Sequence, residues 1–292
     1  MAKNSIKAVI RASRPAFLIL TPACIFLAAA LTYSITPNIS YLDLALCLLG
    51  AVLAHISVNA FNEYQDFKSG LDAITVKTPF SGGSGALIEQ PTAAKTVLIT
   101  AIVTILFAVL IGLYLSYQYG LALIPIGLLG TVIVLTYTPW INRNPWVCLL
   151  APGLAFGPLM MVGTSFILTG QFNITVIYLS LVPLFLVSNL LLLNQLPDIK
   201  ADLTVGRNHF FIHYGKGQSF LIYGVFVCAA AFVIASAILA EMIPSQAYLA
   251  IIPVLAGAIA LMGATKNTRS LEKLKPFLAL NVVAAAITPV VL

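Results

Sequence analysis

Charge is what this sequence has least of. Only 8% of its 292 residues are Asp, Glu, Lys or Arg, where a soluble domain carries about 25%. So few charges cannot solvate a globule of this size, which excludes an ordinary soluble enzyme and a disordered tail. The net charge of +6 comes from scattered residues that form no stripe, so a nucleic-acid-binding domain is excluded as well. Cysteine is scarce too. Cys24, Cys47, Cys148 and Cys228 stand apart inside apolar runs, with neither metal spacing nor an obvious pairing, and read as small core hydrophobes.

Apolar residues make up 60% of the chain. Continuous runs rich in Leu, Ile, Ala and Val begin near Pro15, Tyr41, Ala93, Tyr119, Pro145, Ile174, Ser219, Gln246 and Lys275. Crossing a bilayer takes about 20 such residues, and the alternation of an outer-membrane barrel is missing. The expected fold is an all-α polytopic membrane protein of about nine transmembrane helices, with residues 1–292 as one transmembrane domain. The apolar run from Ala16 to Ile35 is longer than the core of a cleaved signal, and it reads as the first span.

Basic residues set the orientation. With the N-terminus in the cytoplasm and nine crossings, all 15 Lys and Arg, from Lys3 to Lys275, fall on the inner side. The connections around Pro37, Gln118, Gln171 and Pro244 carry none. A multi-pass cell (inner) membrane protein is expected, with its C-terminus outside.

Five of the nine acidic residues lie in two short segments. One runs from Asn59 through Asn62, Glu63, Tyr64, Asp66 and Lys68 to Asp72; the other runs from Asn194 through Asp198, Lys200 and Asp202 to Arg207. Each starts at the inner end of an even-numbered span, four spans apart. That is the relation expected of a parallel repeat, giving two four-helix units plus a ninth helix. On a helix, residues four apart share a face, so Asn62 points with Asp66, and Asn194 with Asp198 and Asp202. Gly70 offers a helix stop that lets Asp72 fold back toward Asp66.

Carboxylates that close repel unless cations stand between them, and oxygen ligands with hydrated positions suit Mg²⁺. With neither His nor Cys in the two segments, zinc is disfavoured. Lys68, Lys77, Arg143, Lys200, Arg207 and Lys216 supply a basic rim on the same side, and metal plus cations make a site for diphosphate. The small-residue stretch from Thr78 through Ser81 to Gly85 is either an anion-binding loop or a flexible turn. His55 reads as a core histidine, His209 and His213 as solvated loop residues, and Asn59 either as interhelical glue or as part of the site. A transporter would hold its acids at mid-bilayer on broken helices, whereas these cluster at one mouth.

The pair of motifs, Asn62-x3-Asp66-x5-Asp72 and Asn194-x3-Asp198-x3-Asp202, resembles the two aspartate-rich motifs of the UbiA superfamily of intramembrane prenyltransferases. The resemblance covers nearly the whole chain. The segments starting at Lys77 and Phe156 are similar to the dihydroxynaphthoate (menaquinone-forming) branch. It implies Mg²⁺ ions held by Asn62, Asp66, Asp72, Asn194, Asp198 and Asp202, with the four aspartates catalytic. It also implies a polyprenyl diphosphate donor and an aromatic acceptor as partners, in a lipid bilayer, with no nucleic acid and no obligatory protein partner. Asn59, Lys68, Lys77, Ser81, Arg143, Lys200 and Arg207 are then expected to bind substrate, and Tyr64 and Tyr137 to flank an allylic cation through their ring faces.

Overall fold

The computed structural model describes residues 2–292, with side chains from residue 5 onward, so the Lys3 side chain lies outside the described ones. The N-terminal helix α1 (Ala2–Ala12) is followed by eight helices long and apolar enough to cross a membrane. These are α2 (Pro15–Tyr33), α3 (Tyr41–Lys68), α4 (Pro91–Tyr119), α6 (Pro145–Thr169), α7 (Ile174–Asn194), α8 (Phe210–Leu239), α9 (Ser245–Lys266) and α10 (Leu271–Val291). Between α4 and α6 lies α5 (Leu123–Thr136), apolar but only 14 residues long. At about 1.5 Å per residue it covers about 21 Å. Among the described residues there is no strand.

Local chemistry accounts for the boundaries. Ser40, Asn144, Asn173 and Ser270 cap helix N-termini with side-chain oxygens, and Pro91 and Pro145 stand in first turns, where a missing N–H costs nothing. Gly70 ends α3 in the left-handed conformation (φ 78°), as its position predicts. The seventh apolar run, expected from about Ser219, is preceded by a helical turn from Phe210. Gly215 (φ 74°, ψ 177°) breaks the helix between them. Within α6, Pro152 and Pro158 strip two N–H donors, and residues Ala155–Val162 widen into a π-helical stretch.

The bundle is solid on one side and hollow on the other. The largest buried cluster joins α2, α6, α7, α8, α9 and α10 around Leu186, Leu190, Tyr223, Ile234 and Leu278. By contrast α3, α4, α5 and α6 enclose an apolar cavity of about 530 Å³. The outward faces carry exposed Leu106, Phe107, Leu128, Phe232 and Leu255, a surface suited to hydrocarbon rather than water. Cys24, Cys47 and Cys148 are buried as expected, but Cys228 is exposed on α8, because that face of the helix has no neighbour.

Candidate active site

The last turns of α3 carry the first motif. The Asn62 amide donates to Asp66 Oδ2 (3.1 Å) and Thr138 Oγ1 (3.2 Å), so the i,i+4 pair does share a face. Past Gly70 the chain reverses into the short helix Leu71–Ile74, which carries Asp72, 3% exposed, back to the cavity lined by Asp66. The second motif departs from a single helical face. α7 ends at Asn194, a turn follows, and Asp198 stands at the head of a separate short helix, Ile199–Thr204, that holds Asp202. Because Pro197 lacks an N–H, the helix cannot run on unbroken. Even so, Asn62, Asp66, Asp72, Asn194, Asp198 and Asp202 all line one polar cavity of about 150 Å³.

Two guanidinium groups hold this cavity. Arg207 bridges the motifs, donating to Asp202 Oδ1 (2.9 Å) and making a close ion pair with Asp66. Burial alone lowers its pKa, yet Asp66 and Asp202 raise it overall. Arg14 donates to Asn62 Oδ1 (3.0 Å) from the α1–α2 junction, where it takes the left-handed conformation (φ 50°, ψ 65°) that non-glycine residues rarely adopt. Sequence reading placed Arg14 only among the inner-side cations; its signal was the position directly before Pro15, at a helix–helix corner.

The other cations of the expected basic rim stand outside the cavities. Lys68, Lys77, Arg143, Lys200 and Lys216 are exposed and line neither cavity; Lys77 lies over the glycine-rich loop at Gly85, where its charge favours the ionised form of Asp72. Tyr64 also lines neither cavity. It is one residue past Glu63 and packs against the buried cluster that holds Ala8, Ala12 and Leu87. Tyr137 and Ser81 do line the polar cavity, as do Asn59 and Asn194. The Asn59 amide also donates to the Ser13 carbonyl (3.0 Å), so both of its readings hold.

His209 overturns its solvated reading. It is 1% exposed, and its Nε2 lies 3.1 Å from Asp202 Oδ2, fixing the carboxylate's direction. Glu63 belongs to the first acidic segment but has no role assigned by its spacing. It is fully buried and accepts from Ser84 N (3.0 Å), Ser84 Oγ (2.5 Å) and Ala86 N (3.2 Å), tying the loop after Asp72 to α3. The glycine-rich loop thus offers its N–H groups to carboxylates, Gly82 N donating to Asp198 Oδ2 (3.1 Å). At Gly83 a Cβ would sit 2.4 Å from Asp72 Oδ1, so only glycine leaves room for that carboxylate.

Electrostatically the site is short of positive charge. Four carboxylates face two guanidinium groups. Burial, then Glu63 and Asp66, push the Asp72 carboxyl up to about 7; burial, then Asp202, push Asp198 up to about 7. Among the described residues, Asp72 Oδ2, Asp198 Oδ1 and Asn194 Oδ1 are buried without a hydrogen-bond partner. These orphaned hard oxygens suit a divalent cation. Among the described residues no three acidic, His or Cys groups already converge on one point, since Arg207 stands between Asp66 and Asp202 as the cation in place.

The polar cavity is continuous with the apolar one. Arg14, His55, Asn59, Asn62, Tyr137, Phe156 and Leu191 line both. A charged site at one end of the bundle thus opens into an apolar chamber among helices. The family model of the UbiA prenyltransferase family matches residues 19–283, and the chain belongs to that family.

The chain is 31% identical over 191 residues to 1,4-dihydroxy-2-naphthoate octaprenyltransferase of Bacillus subtilis, an alignment spanning 64% of this chain and 60% of that protein. It is 28% identical over 248 residues to the enzyme of the same name from Haemophilus influenzae, spanning 82% of this chain and 80% of that one. The fold is that of a UbiA homologue from Archaeoglobus fulgidus solved with DMAPP and Mg²⁺ bound. Its TM-score is 0.65 at 16% identity, over 97% of this chain and 99% of the other. The chain is accordingly a multi-pass membrane protein.

Proposed function

We propose that residues 1–292 act as one transmembrane domain that moves a prenyl group from a polyprenyl diphosphate to an aromatic acceptor of the dihydroxynaphthoate kind, releasing diphosphate. One observation carries this: four acids and two arginines at the mouth open directly into an apolar chamber of about 530 Å³. Head group and tail of such a donor need those two environments, side by side. The relatives named for dihydroxynaphthoate support the choice of acceptor.

In this reading Asp66, Asp72, Asp198 and Asp202, with Asn62 and Asn194, hold Mg²⁺. When bound, Mg²⁺ stabilises charge on the departing diphosphate. Arg207 neutralises the phosphate oxygens, giving up part of its grip on Asp66 to do so. As the C–O bond to diphosphate breaks, the rings of Tyr137 and Phe156 present their negative faces to the allylic cation. The apolar walls keep water from it. An aromatic carbon then forms the new C–C bond and the ring loses a proton.

Purified protein in detergent should release diphosphate from a polyprenyl diphosphate plus dihydroxynaphthoate only when Mg²⁺ is present; equal release with EDTA sinks the reading. A second measurement needs no turnover. Asp72 and Asp198 hold protons more tightly folded than unfolded, so they stabilise the metal-free protein at low pH, and that stabilisation is lost as pH rises through about 7. Mg²⁺ needs the ionised forms. It should therefore raise the melting temperature more at pH 8 than at pH 6, and the same increment at both pH values would count against these ligands.

We also propose that the mouth faces the cytoplasm, because all 15 Lys and Arg then lie inside. A reporter fused after Gln171, between α6 and α7, should read outside; a cytoplasmic signal there would reverse the assignment.

A further inference from the structure

His55 sits on α3 two turns before Asn62, where the two cavities meet. It is 8% exposed, and one ring nitrogen is committed: Nδ1 lies 2.9 Å from Thr21 Oγ1 on α2. The Thr21 hydroxyl is fully buried, and His55 is its hydrogen-bond partner among the described residues. The hydroxyl proton is satisfied only if it is donated to Nδ1. In a neutral imidazole that accounting leaves the proton on Nε2, as a donor free for the junction. Phe156 packs its ring against His55 edge to face, with centroids 4.9 Å apart at 80°, which fixes the imidazole plane.

Cationic character is added by Arg14, which lines the same junction; one terminal nitrogen donates to Asn62 and lies 4.0 Å from Glu63, while its buried Nε has no partner among the described residues. Tyr137 lines the junction as well and packs against the buried cluster that holds Cys148. The junction therefore holds aromatic walls, one fixed N–H donor and a guanidinium whose Nε is unpartnered, but no carboxylate that reaches His55.

We propose that this junction is the acceptor site and that it selects an aromatic acid: His55 Nε2–H donates to an ionised carboxylate or phenolate oxygen on the ring, and Arg14 supplies the matching charge. This rests on the prenyltransferase reading and adds what that reading lacks, the residue that recognises the second substrate and the anionic group recognised. The donor's diphosphate is left to Arg207 and the acids, so His55 should separate the two substrates kinetically.

The test compares wild type with His55→Gln, which keeps an N–H near the Nε2 position, and His55→Leu, which does not. Probes are 1,4-dihydroxy-2-naphthoate and its carboxamide, read by steady-state kinetics and by equilibrium binding in detergent without prenyl donor. In His55→Leu the KM and Kd for the acid should rise by roughly 10- to 100-fold, as expected for a lost hydrogen bond to a charged group. The KM for the prenyl diphosphate should stay within about twofold, and His55→Gln should recover most of the acid affinity. Wild type should prefer acid to amide, and His55→Leu should lose that preference. An unchanged KM and Kd for the acid in a folded, active His55→Leu overturns the proposal, as does equal wild-type affinity for acid and amide. Should His55→Leu fail to fold, the wild-type acid-to-amide comparison and His55→Gln still decide. Wild type that binds the acid but releases no diphosphate would refute the prenyltransferase reading and leave the binding site standing.

Discussion

Asp198→Asn should lower turnover by at least about a hundredfold while leaving the melting temperature unchanged or slightly higher. Removing one preorganised electrostatic group from a reacting centre typically costs 10²–10³ in rate, about 3–4 kcal/mol. Stability should not follow. The Asp198 carboxyl is pushed up to about 7 by burial and by Asp202, so its ionised form is tolerated in the fold rather than favoured by it. An amide oxygen can still accept from Gly82 N. Asp66→Asn should lose as much activity but be less clean. Asp66 pairs with Arg207, and breaking a buried pair leaves an unmatched charge that costs about 3–5 kcal/mol. The two variants therefore separate a chemical role from a structural one. Turnover of Asp198→Asn within tenfold of wild type, in a folded protein, would remove Asp198 from the metal site.

The parts of the fold governed by transfer into hydrocarbon were legible in the sequence. Apolar runs located every long helix, and Gly70 announced the reversal that returns Asp72, because only a left-handed residue ends α3 there. The motif spacings brought the acids to one mouth even where Pro197 interrupts the helix. What escaped depends on directions that hydropathy does not encode. A lysine count cannot tell that Lys68 and Lys200 turn to solvent while Arg14, set in a strained corner, turns inward. Nor does spacing reveal that Glu63 serves the loop rather than the metal, since its three donors come from residues 84 and 86, which reach it only after the chain has folded back. Tyr64 stands off both cavities for a related reason: one residue along a helix is about 100° around it.

Gly157→Val should be the most destructive single change away from the acids, and Gly153→Val should nearly match it. α6 meets α7 through these glycines, four residues apart. A Cβ at Gly153 would lie 2.1 Å from the Leu184 carbonyl oxygen, and one at Gly157 would lie 2.3 Å from that of Ser180. Backbone cannot step aside as a flexible side chain can, so the helices must separate. In lipid, helix pairing rests on close packing rather than on expulsion of water, and overpacking of this kind costs about 1–3 kcal/mol or more. A drop in melting temperature of about 2–5 °C follows for a chain of this size. Activity should fall further than stability alone explains, because α7 ends in Asn194 and leads into Asp198 and Asp202. A displaced α7 pulls the second motif from the first, and Mg²⁺ should then give less thermal stabilisation than in wild type. Gly127→Ala and Gly130→Ala on α5 are the controls. Nothing lies within 4 Å of a Cβ at either position, so both should melt at or slightly above the wild-type temperature. If Gly157→Val melted with them, tight contact between α6 and α7 would not be what holds the second motif against the first.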